Sequence, residues 1–182
     1  MNPSLRIDGA RLHRRLAELA AIGAIDGGGC ARLALSDEDK AGRDLVCHWM
    51  RELGLTVTID AIGNVVGTRA GRVAGPAVMT GSHIDTVRTG GRFDGNLGVL
   101  AGLEVIATLN DAGIETEHPL AVAFFTNEEG ARFAPDMMGS LVFTGQLSLE
   151  TALQTQGIDG SRVDENLARI GISVSLRTVD RA

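Results

Sequence analysis

Residues 121–125 are an unbroken apolar run, Ala-Val-Ala-Phe-Phe, that empties into Thr126, Asn127, Glu128, Glu129 and Gly130. A run so short and so apolar reads as a core β-strand, since strands buried in α/β sheets carry near-continuous hydrophobic residues. Two adjacent carboxylates at its mouth should repel each other. Either water solvates them on an exposed loop, or a cation holds them in place.

The segments around this run alternate in type. "PAVMTGSHID" is a second strand ending in a polar turn, and "LGVLAGLEVIATLNDAG" is apolar nearly all round, as a buried helix would be. Strand, helix, strand, with acids and a histidine at the strand ends, is an α/β pattern whose ligands belong beyond the carboxyl ends of the strands. "LTVTIDAIGNVVGTR" alternates and turns at Gly63-Asn64, which predicts a hairpin or two short strands. Upstream, Asp8 caps a helix with Leu12, Leu16 and Leu19 at helical spacing, ended by Gly23. Ser36 caps a second, with acids in its first turn, Leu45, Trp49 and Leu53 on one face, and Gly54 after it. The tail predicts two short helices, and residues 172–182 one more strand. The expected fold is an open mixed α/β sheet with helices on both faces.

The 182 residues suffice for one domain with a real core. A net charge of −6, 3% aromatic residues and no Tyr argue against nucleic acid and anionic membrane as partners. Cys30 and Cys47 sit in no metal-binding spacing and read as free thiols in a reducing compartment. The N-terminus lacks the apolar core of a secretory signal, and no apolar run reaches the length of a membrane span, so the expected location is cytoplasmic. The "AIDGGGCARLA" loop has neither GxGxxG nor GKS/T and reads as a flexible or substrate-side loop.

Three strand-end segments converge on one chemistry. In Ser82-His83-Ile84-Asp85, residues two apart share a side of an extended chain, so His83 can meet a metal while Asp85 lies near its ring. Arg92-Phe93-Asp94-Gly95 opens the apolar helix, and Glu128-Glu129 closes the apolar strand. Taken singly, each has an ordinary reading: His83 a strand-end polar residue, Asp94 a helix cap, the glutamates solvated loop charges. Taken together, one imidazole and several carboxylates suit zinc, manganese or cobalt better than calcium. A carboxylate bridging two ions gives a two-metal hydrolytic site. Adjacent glutamates on an extended segment point different ways, so one can bind metal while the other acts as general base. His13 and His48 fall on helices and read as surface or packing histidines, and His118, before a proline, as a surface residue.

"GSHIDTVRTGGRFDGNLGVLAGLEVI" followed by "FFTNEEGARFAPDMMGS" resembles the amidase/hydantoinase/carbamoylase branch of the zinc-dependent M20 peptidase family. The likeness extends to "LAAIGAIDGGGCARLALSDEDKAGRDL" and to Ile59-Asp60-Ala61-Ile62-Gly63-Asn64, nearly residues 5–170 in all. The resemblance implies a zinc-exopeptidase-like catalytic domain holding two Zn²⁺, or Mn²⁺ or Co²⁺, and hydrolysing linear non-peptide C–N bonds in small ureido or amide substrates. It implies that His83 binds one metal, Asp94 bridges both, Glu129 binds the second, Glu128 is the general base and Asp85 orients His83. It implies a homodimer as well. An M20-type aminopeptidase or deacylase, or an inactive fragment, is the alternative. Arg132 and the Gly27–Gly29 loop are candidates for the substrate side without an assigned role.

The family's further histidines, one in a stretch worded like "HIEQGP", are not in this sequence, nor is its lid and dimerisation domain. Residues 1–182 are therefore expected to be the N-terminal portion of the catalytic domain, incomplete at the C-terminus. Each metal would keep two protein ligands, and the chain alone would be inactive.

Overall fold

The computed structural model describes residues 5–173. Its sheet has four strands in the order β1-β2-β4-β3, namely β1 Thr56–Ile59, β2 Val65–Arg69, β3 Val78–Ser82 and β4 Leu120–Phe124. β1 pairs antiparallel with β2, β2 antiparallel with β4, and β3 parallel with β4. Parallel neighbours need a long crossover, and here it is helical. The sheet is thus open and mixed, with helices around it, as expected.

Among the described residues there are six helices, in chain order α1 Gly9–Ala21, α2 Asp37–Glu52, α3 Asn96–Asp111, α4 Met138–Phe143, α5 Leu149–Gln154 and α6 Val163–Arg169. Asp8 and Ser36 cap α1 and α2 as the sequence predicts, accepting from Arg11 N at 3.0 Å and Asp39 N at 3.2 Å. The turn between β1 and β2 is closed by Asp60, whose carboxylate accepts from the backbone of Ile62 and Asn64. Helices α1–α3 and the sheet share one core around Leu19, Met50, Leu103 and Phe124. A second cluster around Phe133, Met138, Leu153 and Leu167 joins α4–α6. The strand predicted at residues 172–182 falls largely outside the described residues.

Helix α3 departs from the expectation of burial all round. Leu97 and Val105 are 46% and 48% exposed, because β3, which α3 packs against, is the edge strand and nothing lies beyond it among the described residues. The same helix hides a charge its apolar pattern does not announce. Glu104 is fully buried and takes Arg11 Nε at 2.8 Å, Arg11 Nη2 at 2.8 Å and Asp8 N at 2.9 Å.

Candidate active site

The register of β3 on β4 builds the site. Ser82 lies opposite Phe124, and Phe125 N donates to Ser82 O at 2.9 Å, so the two chains leave the sheet side by side. His83–Asp85 and Asn127–Glu129 therefore emerge as neighbours at the carboxyl ends of parallel strands, where α/β sheets hold their ligands.

His83 is buried, and its Nε2 lies 3.2 Å from Glu128 Oε2. Its Nδ1 lies 2.9 Å from the backbone carbonyl of Asp85, an atom that can only accept, so Nδ1 carries a proton. Nε2 then faces the Glu128 carboxylate, and a proton or a cation between the two atoms removes their lone-pair repulsion.

Asp85 does not hold His83 through its carboxylate, which stays 3.8 Å from Nδ1. The carboxylate turns instead to the glutamates: Oδ1 accepts from Glu128 N and Oδ2 from Glu129 N, both at 3.2 Å. Burial pushes Asp85 up to about 6, with the charge of Asp39 acting the same way and His83 and the two N–H donors opposing it.

Glu128 and Glu129 sit at a bend that follows the Thr126–Asn127 turn, not on the extended segment expected. Asn127 enters that bend from the left-handed region at φ 53°, which asparagine tolerates better than most residues. Its buried amide donates to the carbonyls of Phe133 and Pro135 at 2.8 and 3.1 Å. One residue earlier, Thr126 N donates to Asn64 Oδ1 at 3.0 Å, while Thr126 Oγ1 accepts from the buried Arg43 at 3.0 Å. These supports escaped the sequence reading. An asparagine directly before the glutamates was the available signal.

Asp94 is exposed, and it is not the cap of α3; Gly95 is, without any side-chain bond. Burial raises the Glu129 pKa, the charges of Asp94 and Glu128 add to that rise, and His83 opposes it. These four groups therefore share one electrostatic neighbourhood. His13, His48 and His118 are exposed and stand apart from it.

The Gly27–Gly29 loop lies against the loop that leads to Asp94. Cys30 and Gly90 exchange two backbone bonds of 2.9 Å, and a Cβ on Gly29 would come 2.9 Å from Gly90 O. Arg132 is used elsewhere: it donates to Ala34 O, Asp159 Oδ2 and Asn166 Oδ1 at 2.8–2.9 Å, joining the Ala34 loop to the α6 region.

Imidazole and carboxylates are the donor types a divalent transition metal takes. Their number falls short. Among the described residues, no group of three or more His, Cys, Asp and Glu side chains could hold a metal ion, whereas catalytic zinc usually has three protein ligands. The described residues do not by themselves make a complete metal site.

Residues 79–172, just over half of the chain, match peptidase family M20/M25/M40. The chain belongs to this M20 family. Within it, the chain falls in the hydantoinase/carbamoylase amidase branch. It is 44% identical over 167 residues to N-carbamoyl-L-amino acid amidohydrolase of Geobacillus stearothermophilus, covering 91% of this chain and 41% of that protein. It is 36% identical over 161 residues to ureidoglycolate hydrolase of Arabidopsis thaliana, covering 88% of this chain and 34% of the relative. A hydantoinase/carbamoylase family amidase of known structure, from Burkholderia multivorans, superposes with a TM-score of 0.91 at 58% identity, over 93% of this chain and 42% of that one. The chain thus spans about two fifths of the length of such M20 relatives. No helix among its described residues is long and apolar enough to cross a membrane.

Proposed function

We propose that this chain supplies the acid–base half of an amidohydrolase site acting on linear, non-peptide C–N bonds, as in N-carbamoyl amino acids or ureidoglycolate. The observation that carries the reading is the meeting of His83 Nε2 and Glu128 Oε2 at 3.2 Å, beyond the carboxyl ends of β3 and β4. Glu128 is one-third exposed, so it can reach a bound water and still be held by its backbone. In this reading Glu128 takes the proton of the attacking water and passes it to the leaving nitrogen. His83, Asp94 and Glu129 are this chain's share of the ligands for zinc, or for manganese or cobalt. The remaining donors, the lid and the dimer contacts lie in the length of the relatives that this sequence does not match, and residues 1–182 are then the N-terminal portion of the catalytic domain.

The reading is tested by a chimera. The matched 167 residues replace their counterpart in the Geobacillus N-carbamoyl-L-amino acid amidohydrolase, and turnover of an N-carbamoyl-L-amino acid is measured. Hydrolysis is the expected result. A chimera with the relative's melting behaviour and metal content but no turnover overturns the reading.

A further inference from the structure

Arg32 has no accessible surface, and its guanidinium bonds to no carboxylate among the described residues. Taking a charge out of water without a counter-ion is costly, and an apolar side chain of similar volume would fill the space without that cost. What a guanidinium adds is a rigid plane of donors with fixed directions. Where those donors point is therefore the clue to its role.

Two of the bonds lead to α1: Nη1 donates to Leu19 O at 2.9 Å and Ile22 O at 2.8 Å. A third reaches Cys30 Sγ at 3.3 Å. The other two lead to the candidate site. Nε donates to Ile84 O at 2.8 Å, the carbonyl between His83 and Asp85. Nη2 donates at 2.9 Å to Asn96 Oδ1, and the Asn96 amide in turn donates to Arg92 O at 3.2 Å, closing the turn that contains Asp94. The main chain repeats the link, since Arg32 N donates to Thr86 Oγ1 and Thr86 N to Arg32 O, each at 2.8 Å.

We propose that Arg32 is a positioning residue of this site: its guanidinium sets the His83–Asp85 segment and the Asp94 turn at a fixed distance from each other, measured from the end of α1. The inference rests on the amidohydrolase reading for its meaning. Its geometry concerns two segments that no backbone hydrogen bond joins directly among the described residues. His83 is the place where an error in that spacing appears, because its ring packs on Gly95 of the second segment while its Nδ1 is bonded within the first.

The test uses the ¹⁵N-labelled 182-residue chain with Arg32→Lys, which keeps the charge and loses the fork, and Asn96→Ala, which removes one acceptor and leaves Arg32 in place. Amide exchange is followed at Thr86 and Leu97, one adjoining each segment, and at Val122 in the sheet interior. The ring tautomer of His83 is read against His13, His48 and His118. In both variants Thr86 or Leu97 should exchange about tenfold to a hundredfold faster relative to Val122. The Nδ1-protonated form of His83 should also lose population while the other three histidines stay unchanged. Acceleration of all three amides together, with His83 unaltered, makes Arg32 a fold stabiliser and overturns the proposal. Should Arg32→Lys fail to fold, Asn96→Ala decides by the same readouts. A chimera without turnover would refute the amidohydrolase reading and leave these shifts standing, so the two failures are distinct.

Discussion

The imidazole of His83 lies against the backbone of Gly95: a Cβ at position 95 would fall 2.5 Å from Cε1 and Nε2 of the ring. Gly95 also has φ +65°, a conformation that costs other residues energy. Gly95→Ala should therefore lower stability by roughly 1–2 kcal/mol from the backbone alone and push His83 away from Glu128. A melt gives the first quantity and the His83 ring spectrum the second. A variant with an unmoved ring would show that this contact does not place the histidine.

Glu128→Gln removes the proposed base and keeps its shape. In the active chimera it should reduce turnover about 10²–10⁴-fold while the melting temperature and metal content stay near those of the parent. Turnover at the parental rate would take Glu128 out of the chemistry.

Asp85 offers one carboxylate oxygen to each glutamate N–H. In Asp85→Asn the side chain keeps one oxygen for the two donors, and its NH₂ group faces the second N–H. The substitution should therefore cost about 1–3 kcal/mol, the penalty for a buried donor left unpaired. The amides of Glu128 and Glu129 should exchange faster, ahead of those in β4. Were exchange at both amides unchanged, the two 3.2 Å bonds would not hold in solution.

Glu104 makes stability depend on pH. Its burial alone would raise its pKa, yet the bonds from Arg11 and Asp8 N outweigh that, and the net shift is below 4.5. A carboxylate with a lowered folded pKa binds its proton less readily when folded. Its contribution is complete above its unfolded pKa and is lost as pH falls through the lower folded value. Glu104→Gln should destabilise the chain by roughly 2–3 kcal/mol at pH 7, less than a fully enclosed pair because Arg11 reaches solvent. The difference from wild type should shrink below pH 4.5, as denaturant melts at several pH values will reveal.

The edge strand β3 presents Val78 at 65% and Met79 at 42% exposure, beside the exposed Leu97 and Val105 of α3. An apolar edge with free backbone groups invites pairing. The chain should self-associate as concentration rises, and Val78→Lys should shift sedimentation toward the monomer. A single sharp monomer boundary for the wild type across that range would contradict the expectation.

Local physics was legible from the sequence. Asp8 and Ser36 cap their helices because a short acceptor before an apolar periodic run satisfies the first free N–H groups wherever the helix sits. The strands at residues 78–82 and 120–124 follow from apolar runs bounded by turns, and the family wording marked His83, Asp94, Glu128 and Glu129 as candidates. Direction and partnership were not legible. Whether Asp85 meets a ring or two backbone N–H groups depends on the register of β3 against β4, which places Ser82 opposite Phe124. The turn at Asn127 replaced an extended segment because Asn64, distant in sequence, and Phe133 and Pro135, just past the glutamates, take its hydrogen bonds. Glu104 and Arg32 are buried because donors from α1 and its cap converge on one, and acceptors from α1, Ile84 and Asn96 on the other. A charge becomes tolerable in a core when several chain segments meet around it, and that meeting exists only in the folded chain.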